Sequence, residues 1–303
     1  MSTPNEPAPP PAEQQAGDPF AFAPWPPPPQ LQPVGPAMID PNNPPWGLAA
    51  GVLTWLGSVV LLFIVPAFFM IIYVIYYNVT HGNAGEGLDQ TAAFFIAALA
   101  TLPAHVLTFA GVWAVVTRFG KLPFWSWLGW GWSKRFGFWT SIGVGVLLLV
   151  AGLGFVQVFK GEPTELDKLI QSSMASRITL ALLAATTAPL VEELVYRGVL
   201  YPVCQRAVGM FWAVVIVSTL FVAPHILQYY NNLGVILVIS FLSVCLTLVR
   251  ARTGKLLPCF VIHLVFNGVQ SVLILLEPYM REAAPDVEHK APAALVHFIQ
   301  HLF

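Results

Sequence analysis

The sequence predicts an all-α integral membrane protein, a bundle of about seven transmembrane helices behind a disordered N-terminal tail. Three observations predict it. Of the 303 residues, 56% are hydrophobic and 10% charged, against roughly 25% charged in soluble domains. Mean hydropathy is +0.70. Seven apolar stretches also follow one another, most with the ~20 residues that a spanning helix needs. Net charge is −1, so no basic field invites nucleic acid. Cys204, Cys245 and Cys259 stand apart in apolar segments without CxxC spacing, which reads as packing, not as a disulfide framework or thiolate metal site.

Residues 1–46 hold 16 of the 27 prolines and no Lys or Arg. Runs such as PWPPPP (24–29) favour polyproline II and build no core, so a disordered tail is expected. With no basic segment leading into an apolar one, it does not read as a signal peptide. The apolar stretches are 47–77, 91–117, 138–159, 178–203, 210–227, 233–249 and 256–276. Pro66 predicts tilt or a kink in the first. Gly143, Gly145, Gly152 and Gly154 suit the third to close helix contacts. Between the second and third lies KLPFWSWLGWGWSKRFGFW (121–139), whose Trp content and basic ends predict a short helix in the plane of the interface. Residues 277–303 end in AALVHFIQHLF, too short to span, and read as an interfacial tail.

Basic residues gather at Arg118, Lys121, Lys134 and Arg135, at Arg206, and at Arg250, Arg252 and Lys255. These are the second, fourth and sixth connections. The positive-inside rule then predicts a multi-pass protein of the cell membrane with a cytoplasmic N-terminus and the C-terminus outside.

Within the seven stretches Glu192, Glu193 and Arg197 are the only charged residues. Each costs roughly 2.5–3.5 kcal/mol near the bilayer centre, so a role is expected. Glu193 and Arg197 are four apart on one face and can pair. Glu192 points about 100° away without a basic partner at helical spacing, which suits a general base. Pro189 opens the local hydrogen-bond ladder. His263 and Asn267, also four apart, present two donors suited to a developing oxyanion, and His225 adds a second imidazole. A carboxylate, two imidazoles and an amide together describe peptide hydrolysis. Glu192, His225 and His263 are also a ligand set that suits zinc, although no HExxH is present; a mechanism without cofactor is favoured because Asn267 is a poor zinc ligand and a good oxyanion donor. His105, with no motif around it, and Phe221 read as packing residues.

EELVYR (192–197), FVAPH (221–225) and HLVFN (263–267) fit the motifs EExxxR, FxxxH and HxxxN in that order. In these the sequence resembles the CAAX-protease and bacteriocin-processing (Abi, CPBP) family of intramembrane proteases, which includes the Rce1-type prenyl-protein endopeptidases. The resemblance covers roughly 178–276. It implies a protease core over 160–276, behind N-terminal helices and the Trp-rich segment over 47–159. It also implies that Glu192 and His225 activate water, that His263 and Asn267 stabilise the oxyanion, and that Glu193 and Arg197 support the site. Metalloprotease and glutamate-type mechanisms are both described for the family. The implied partner is a membrane-associated protein or peptide in the lipid bilayer: a prenylated C-terminus, a leader peptide or a membrane-protein tail.

Two rival readings are a proton-coupled transporter using Glu192, His225 and His263, and an inactive membrane scaffold. No second copy of the motifs supports transport, and the complete motif set argues against a scaffold. One expectation is internally strained. With the fourth stretch ending at 203, Glu192 falls nearer the cytoplasm than His225, which counts to ~22 Å deep. Tilt, a break at Pro224 or a re-entrant start near Gly209 would each reconcile them.

Overall fold

The computed structural model describes residues 39–81, 89–159, 161, 167, 170 and 173–283. Most of the proline-rich tail and of the C-terminal tail lies outside these residues. Among the described residues there are helices and no strand, with one isolated bridge between Ser133 and Phe136.

Helix α1 (Leu48–His81) packs along α2 (Gln90–Thr117). Asp89 caps α2, accepting from the backbone N–H groups of Thr91 and Ala92 at 2.9 and 3.2 Å. Outward, α1 exposes Leu53, Phe63, Ile64, Ile71 and Ile75, as a surface solvated by lipid requires. The Trp-rich stretch differs from expectation. It contains a single helical turn, α3 (Phe124–Trp127), because Gly129 takes φ +70° and turns the chain back so that Leu128 is fully buried. Helix α4 (Phe138–Val158) lies against the later helices, and a Cβ at Gly145 would come within 2.9 Å of Val265.

The next apolar run, Met174–Tyr229, is 56 residues long. At 1.5 Å per residue it would extend ~84 Å, nearly three times the ~30 Å hydrocarbon core, so it has to turn. It is built from α5 (Met174–Ala185), a break at Thr186 (φ −127°, ψ −77°), α6 (Thr187–Glu192), a π-helical segment (Glu193–Leu200) and α7 (Tyr201–Tyr229). The turn is Gly209, whose φ of 80° and ψ of 167° interrupt α7. The two arms run back along each other: Tyr196 and Phe221 meet with ring centroids 5.0 Å apart, and the Tyr196 hydroxyl donates to Leu220 O. The first arm thus continues to Gly209 and does not end at 203. Helices α8 (Leu233–Thr253) and α9 (Leu257–Ala283) complete the bundle, α8 against α7 and α9 against α4 and α5. Among the described residues six helices are long and apolar enough to cross a membrane, counting this run as one. The chain is a multi-pass membrane protein.

Buried residues form two clusters. One surrounds the π segment, with Leu194, Val199 and Leu200 against Val112, Val217 and Phe221. The other joins α4, α8 and α9 through Leu148, Leu242, Leu246, Ile262 and Phe266.

Three expectations about charge and boundaries are corrected. Glu192, Glu193 and Arg197 are not the only charged residues on these helices. Arg177 of α5 pairs with Glu277 of α9 and donates to Ile274 O, and Arg250 of α8 is fully buried. These residues flank the apolar stretches in sequence, and the helices simply continue through them. The tail boundary at 46 also falls too late. Residues 41–46 are clamped by Arg250 on Pro41 O and Asn42 Oδ1, by Arg206 on Asn43 Oδ1, Pro44 O and Trp46 O, and by Arg118 on Pro45 O. Trp46 closes the clamp by donating Nε1–H to Val199 O at 3.1 Å. At the other end, α9 carries helix past 276, where an interfacial tail was expected.

Candidate active site

Glu192 is the last α-helical residue before the π segment and Glu193 the first residue within it. A π winding inside a helix recurs at functional sites because it re-aims side chains. The two carboxylates serve opposite surroundings.

Glu193 is fully buried, and its Oε1 accepts from Arg197 Nη1 at 3.0 Å and from His263 Nδ1 at 2.9 Å. The expected pair therefore forms, with His263 as a third member. Arg197 spends its remaining donors on Ser243 O and Oγ (3.0 and 2.8 Å) and on Thr247 Oγ1 (3.2 Å), and its guanidinium lies over the Phe221 ring at 4.5 Å. A buried guanidinium is tolerated when its fork is occupied in this way. Because a carboxylate only accepts, the His263 proton sits on Nδ1 and the ring turns Nε2 toward Glu192, 3.6 Å from Oε2.

Glu192 is partly open, its side chain 26% exposed. It borders a cavity of about 420 Å³ together with His225, His105, Thr108, Tyr196 and the α1 residues Leu62 and Phe63. His225 stacks on Phe221, and its Nδ1 donates to Phe221 O at 2.9 Å, again leaving Nε2. The depth conflict disappears in this hairpin. Glu192 stands 17 residues before Gly209 and His225 stands 16 after it, so arms of nearly equal length bring them close to one level.

The predicted residues therefore divide. Glu192 and His225 line the cavity. Glu193, Arg197 and His263 form a buried cluster behind Glu192. Asn267 donates to Ala184 O at 3.1 Å, tying α9 to the end of α5, and is not among the lining residues. His105, read from sequence as packing, borders the cavity instead and bonds Thr187 Oγ1 at 3.0 Å. The available signal was an ionisable residue inside a spanning helix. It went unread because Thr187 lies 82 residues away in sequence.

Among the described residues no three His, Cys, Asp or Glu side chains converge in a set that could hold an ion.

Fold and site together define a polytopic helical membrane protein with a carboxylate and imidazoles facing an intramembrane cavity. Residues 174–269 match the family model described as type II CAAX prenyl endopeptidase Rce1-like. This segment, about a third of the chain, is thus similar to a family of proteases. It spans α5 to the first half of α9 and holds all six predicted site residues, while α1 and α2, which supply the other cavity wall, lie outside it. No curated protein and no solved structure matches the chain.

Proposed function

We propose that this protein is an intramembrane endopeptidase of the glutamate type that hydrolyses a peptide bond in a membrane-associated protein or peptide. The observation that carries the reading is Glu192, which faces an intramembrane cavity beside His225 and backs onto His263. Glu192 takes a proton from water as the water oxygen adds to the scissile carbonyl carbon. It returns that proton to the amide nitrogen as the C–N bond breaks, giving a carboxylic acid and an amine from one water. The Nε2 lone pair of His225 accepts from the same water and fixes its approach. Nε2 of His263 faces Glu192 Oε2 and accepts a hydrogen bond from the carboxyl once it is protonated. Glu193 and Arg197 hold His263 in that orientation, much as a buried partner orients the imidazole of a hydrolytic triad. Asn267 steadies α9 against α5. The substrate class favoured by the Rce1-like match is a prenylated CAAX C-terminus.

We also infer that the N-terminus faces the cytoplasm of the cell. What supports this is that Arg118, Arg206 and Arg250 meet residues 41–46 just ahead of α1, so the chain enters α1 from the basic side. A periplasmic or extracellular alkaline-phosphatase reporter fused to the N-terminus should be inactive; an active one overturns the orientation.

The test is hydrolysis of a fluorescent peptide ending in farnesyl-Cys-aliphatic-aliphatic-X by detergent-purified protein, with product masses read by mass spectrometry. The expected result is a single internal cleavage that Glu192→Gln loses. Cleavage by Glu192→Gln at the wild-type rate overturns the reading.

A further inference from the structure

Peptide hydrolysis by the proposed route needs a hydrogen-bond donor for the carbonyl oxygen as it becomes an oxyanion. The lining of the cavity restricts which group that is. The Ser58 hydroxyl donates to Trp55 O at 2.7 Å, that of Thr108 to Ala104 O at 2.9 Å, and that of Tyr196 to Leu220 O at 3.4 Å. All three donors are spent on backbone carbonyls. His225 and His263 have their protons on Nδ1, held by Phe221 O and Glu193 Oε1, so as neutral rings they offer Nε2 lone pairs only. One of the two Asn267 amide N–H groups is on Ala184 O, and Asn267 is not among the residues that line the cavity. Gln228 lines the exposed end of the cavity, three residues beyond His225.

His105 differs from the other two imidazoles in the nature of its partner. Its Nδ1 meets a hydroxyl, Thr187 Oγ1, at 3.0 Å, and a hydroxyl can donate as well as accept. Among the described residues no carbonyl takes the Thr187 proton, so that proton is available to Nδ1. A ring that accepts at Nδ1 carries its own proton on Nε2. His105 borders the same cavity as Glu192 and His225 and is 8% exposed, which keeps the ring from swinging away. Thr187 opens the short helix that ends in Glu192, so the hydroxyl that sets the ring and the carboxylate that acts as base ride on one six-residue element.

We propose that His105 is a further catalytic residue, donating Nε2–H to the oxyanion, with Thr187 fixing its tautomer. The inference rests on the endopeptidase reading above. When the water oxygen bonds to the carbonyl carbon and Glu192 takes its proton, the carbonyl π pair moves onto oxygen, and His105 bonds that oxygen without transferring its proton. The three imidazoles then divide the work by tautomer: two accept and one donates. α2, outside the Rce1-like segment, thereby contributes to the chemistry.

Two measurements test it. Nitrogen-15 spectra of histidine-labelled full-length protein, assigned with single His variants, report each neutral tautomer without any substrate. His105 is expected as Nε2–H, with His225 and His263 as Nδ1–H, and Thr187→Val should shift His105 toward Nδ1–H. A wild-type His105 in the Nδ1–H form overturns the proposal. The second is hydrolysis of the farnesylated peptide. His105→Phe should lower kcat about 10²–10³-fold with KM and Tm little changed, the loss expected for one oxyanion donor. His105→Gln should restore part of that kcat by returning an N–H donor, and a purely structural role predicts no such rescue. If Glu192→Gln abolishes cleavage while His105→Phe and His105→Gln both stay within twofold of wild type, the inference fails and the endopeptidase reading stands. If Glu192→Gln leaves cleavage intact, the glutamate mechanism fails and the oxyanion role argued from it falls with it.

Discussion

Arg250 donates its Nε–H to the backbone carbonyl of Arg197 at 3.0 Å, and both guanidinium groups are fully buried. Two buried cations are thus linked through one backbone carbonyl, each committed to acceptors that the other does not use. Arg197 serves Glu193, Ser243 and Thr247, while Arg250 reaches outward to Asn42 and Pro41. The clamp around residues 41–46 and the π segment therefore share one side chain.

Arg250→Met should be strongly destabilising. It strips a donor from Arg197 O, Asn42 Oδ1 and Pro41 O, and at about 1 kcal/mol for each orphaned acceptor the loss is about 3 kcal/mol. Thermal unfolding in detergent reads this directly. A Tm equal to wild type would mean that the clamp contributes nothing to the fold.

Glu192→Gln keeps the shape of the side chain and removes the base. Hydrolysis should fall at least ~10²–10⁴-fold, the usual contribution of a general base. Tm should stay at the wild-type value, because Glu192 is partly open and its nearest cation candidate, His263 Nε2, is 3.6 Å away. Loss of folding with loss of activity would assign Glu192 a structural role.

Glu193→Ala leaves Arg197 buried without its carboxylate and releases His263 Nδ1. Breaking a buried pair by removing one member costs about 3–5 kcal/mol. Both Tm and kcat should drop. Unchanged stability would show that water reaches the cluster.

Asn267→Ala removes one bond between α9 and α5, worth about 1 kcal/mol. Because Ala184 lies just ahead of the break before α6, kcat should fall modestly with KM unchanged. A 10²-fold loss of kcat at constant Tm would instead restore Asn267 to the oxyanion role that the family resemblance implies.

Elemental analysis of purified protein, with activity measured before and after exhaustive chelation, separates the two mechanisms described for the family. Substoichiometric metal and undiminished activity are expected. Stoichiometric zinc, with activity lost on its removal and regained on its return, would overturn the glutamate mechanism.

The helical class and the order of elements were legible because hydropathy alone sets them, and lipid leaves a chain few alternatives. The Glu193–Arg197 pair was legible because its spacing is local. What stayed hidden depends on contacts between distant segments. His105 meets Thr187 only after α2 packs beside α6. Residues 41–46 read as tail by composition, yet prolines expose carbonyls, and three arginines from separate helix ends collect them. The π winding carries no signature in ELVYRGVL, and the Trp-rich stretch read as a helix because its composition outweighed the turn imposed at Gly129.

The hairpin at Gly209 works as a length gauge. Its arms number 17 and 16 residues to Glu192 and His225, so the distance between the two side chains is set by subtraction. One residue inserted into a single arm lifts one group ~1.5 Å past the other and rotates it by about 100°. The same residue inserted in both arms preserves their common level but rotates both. Insertions that conserve the pairing must therefore come as whole turns on both sides at once.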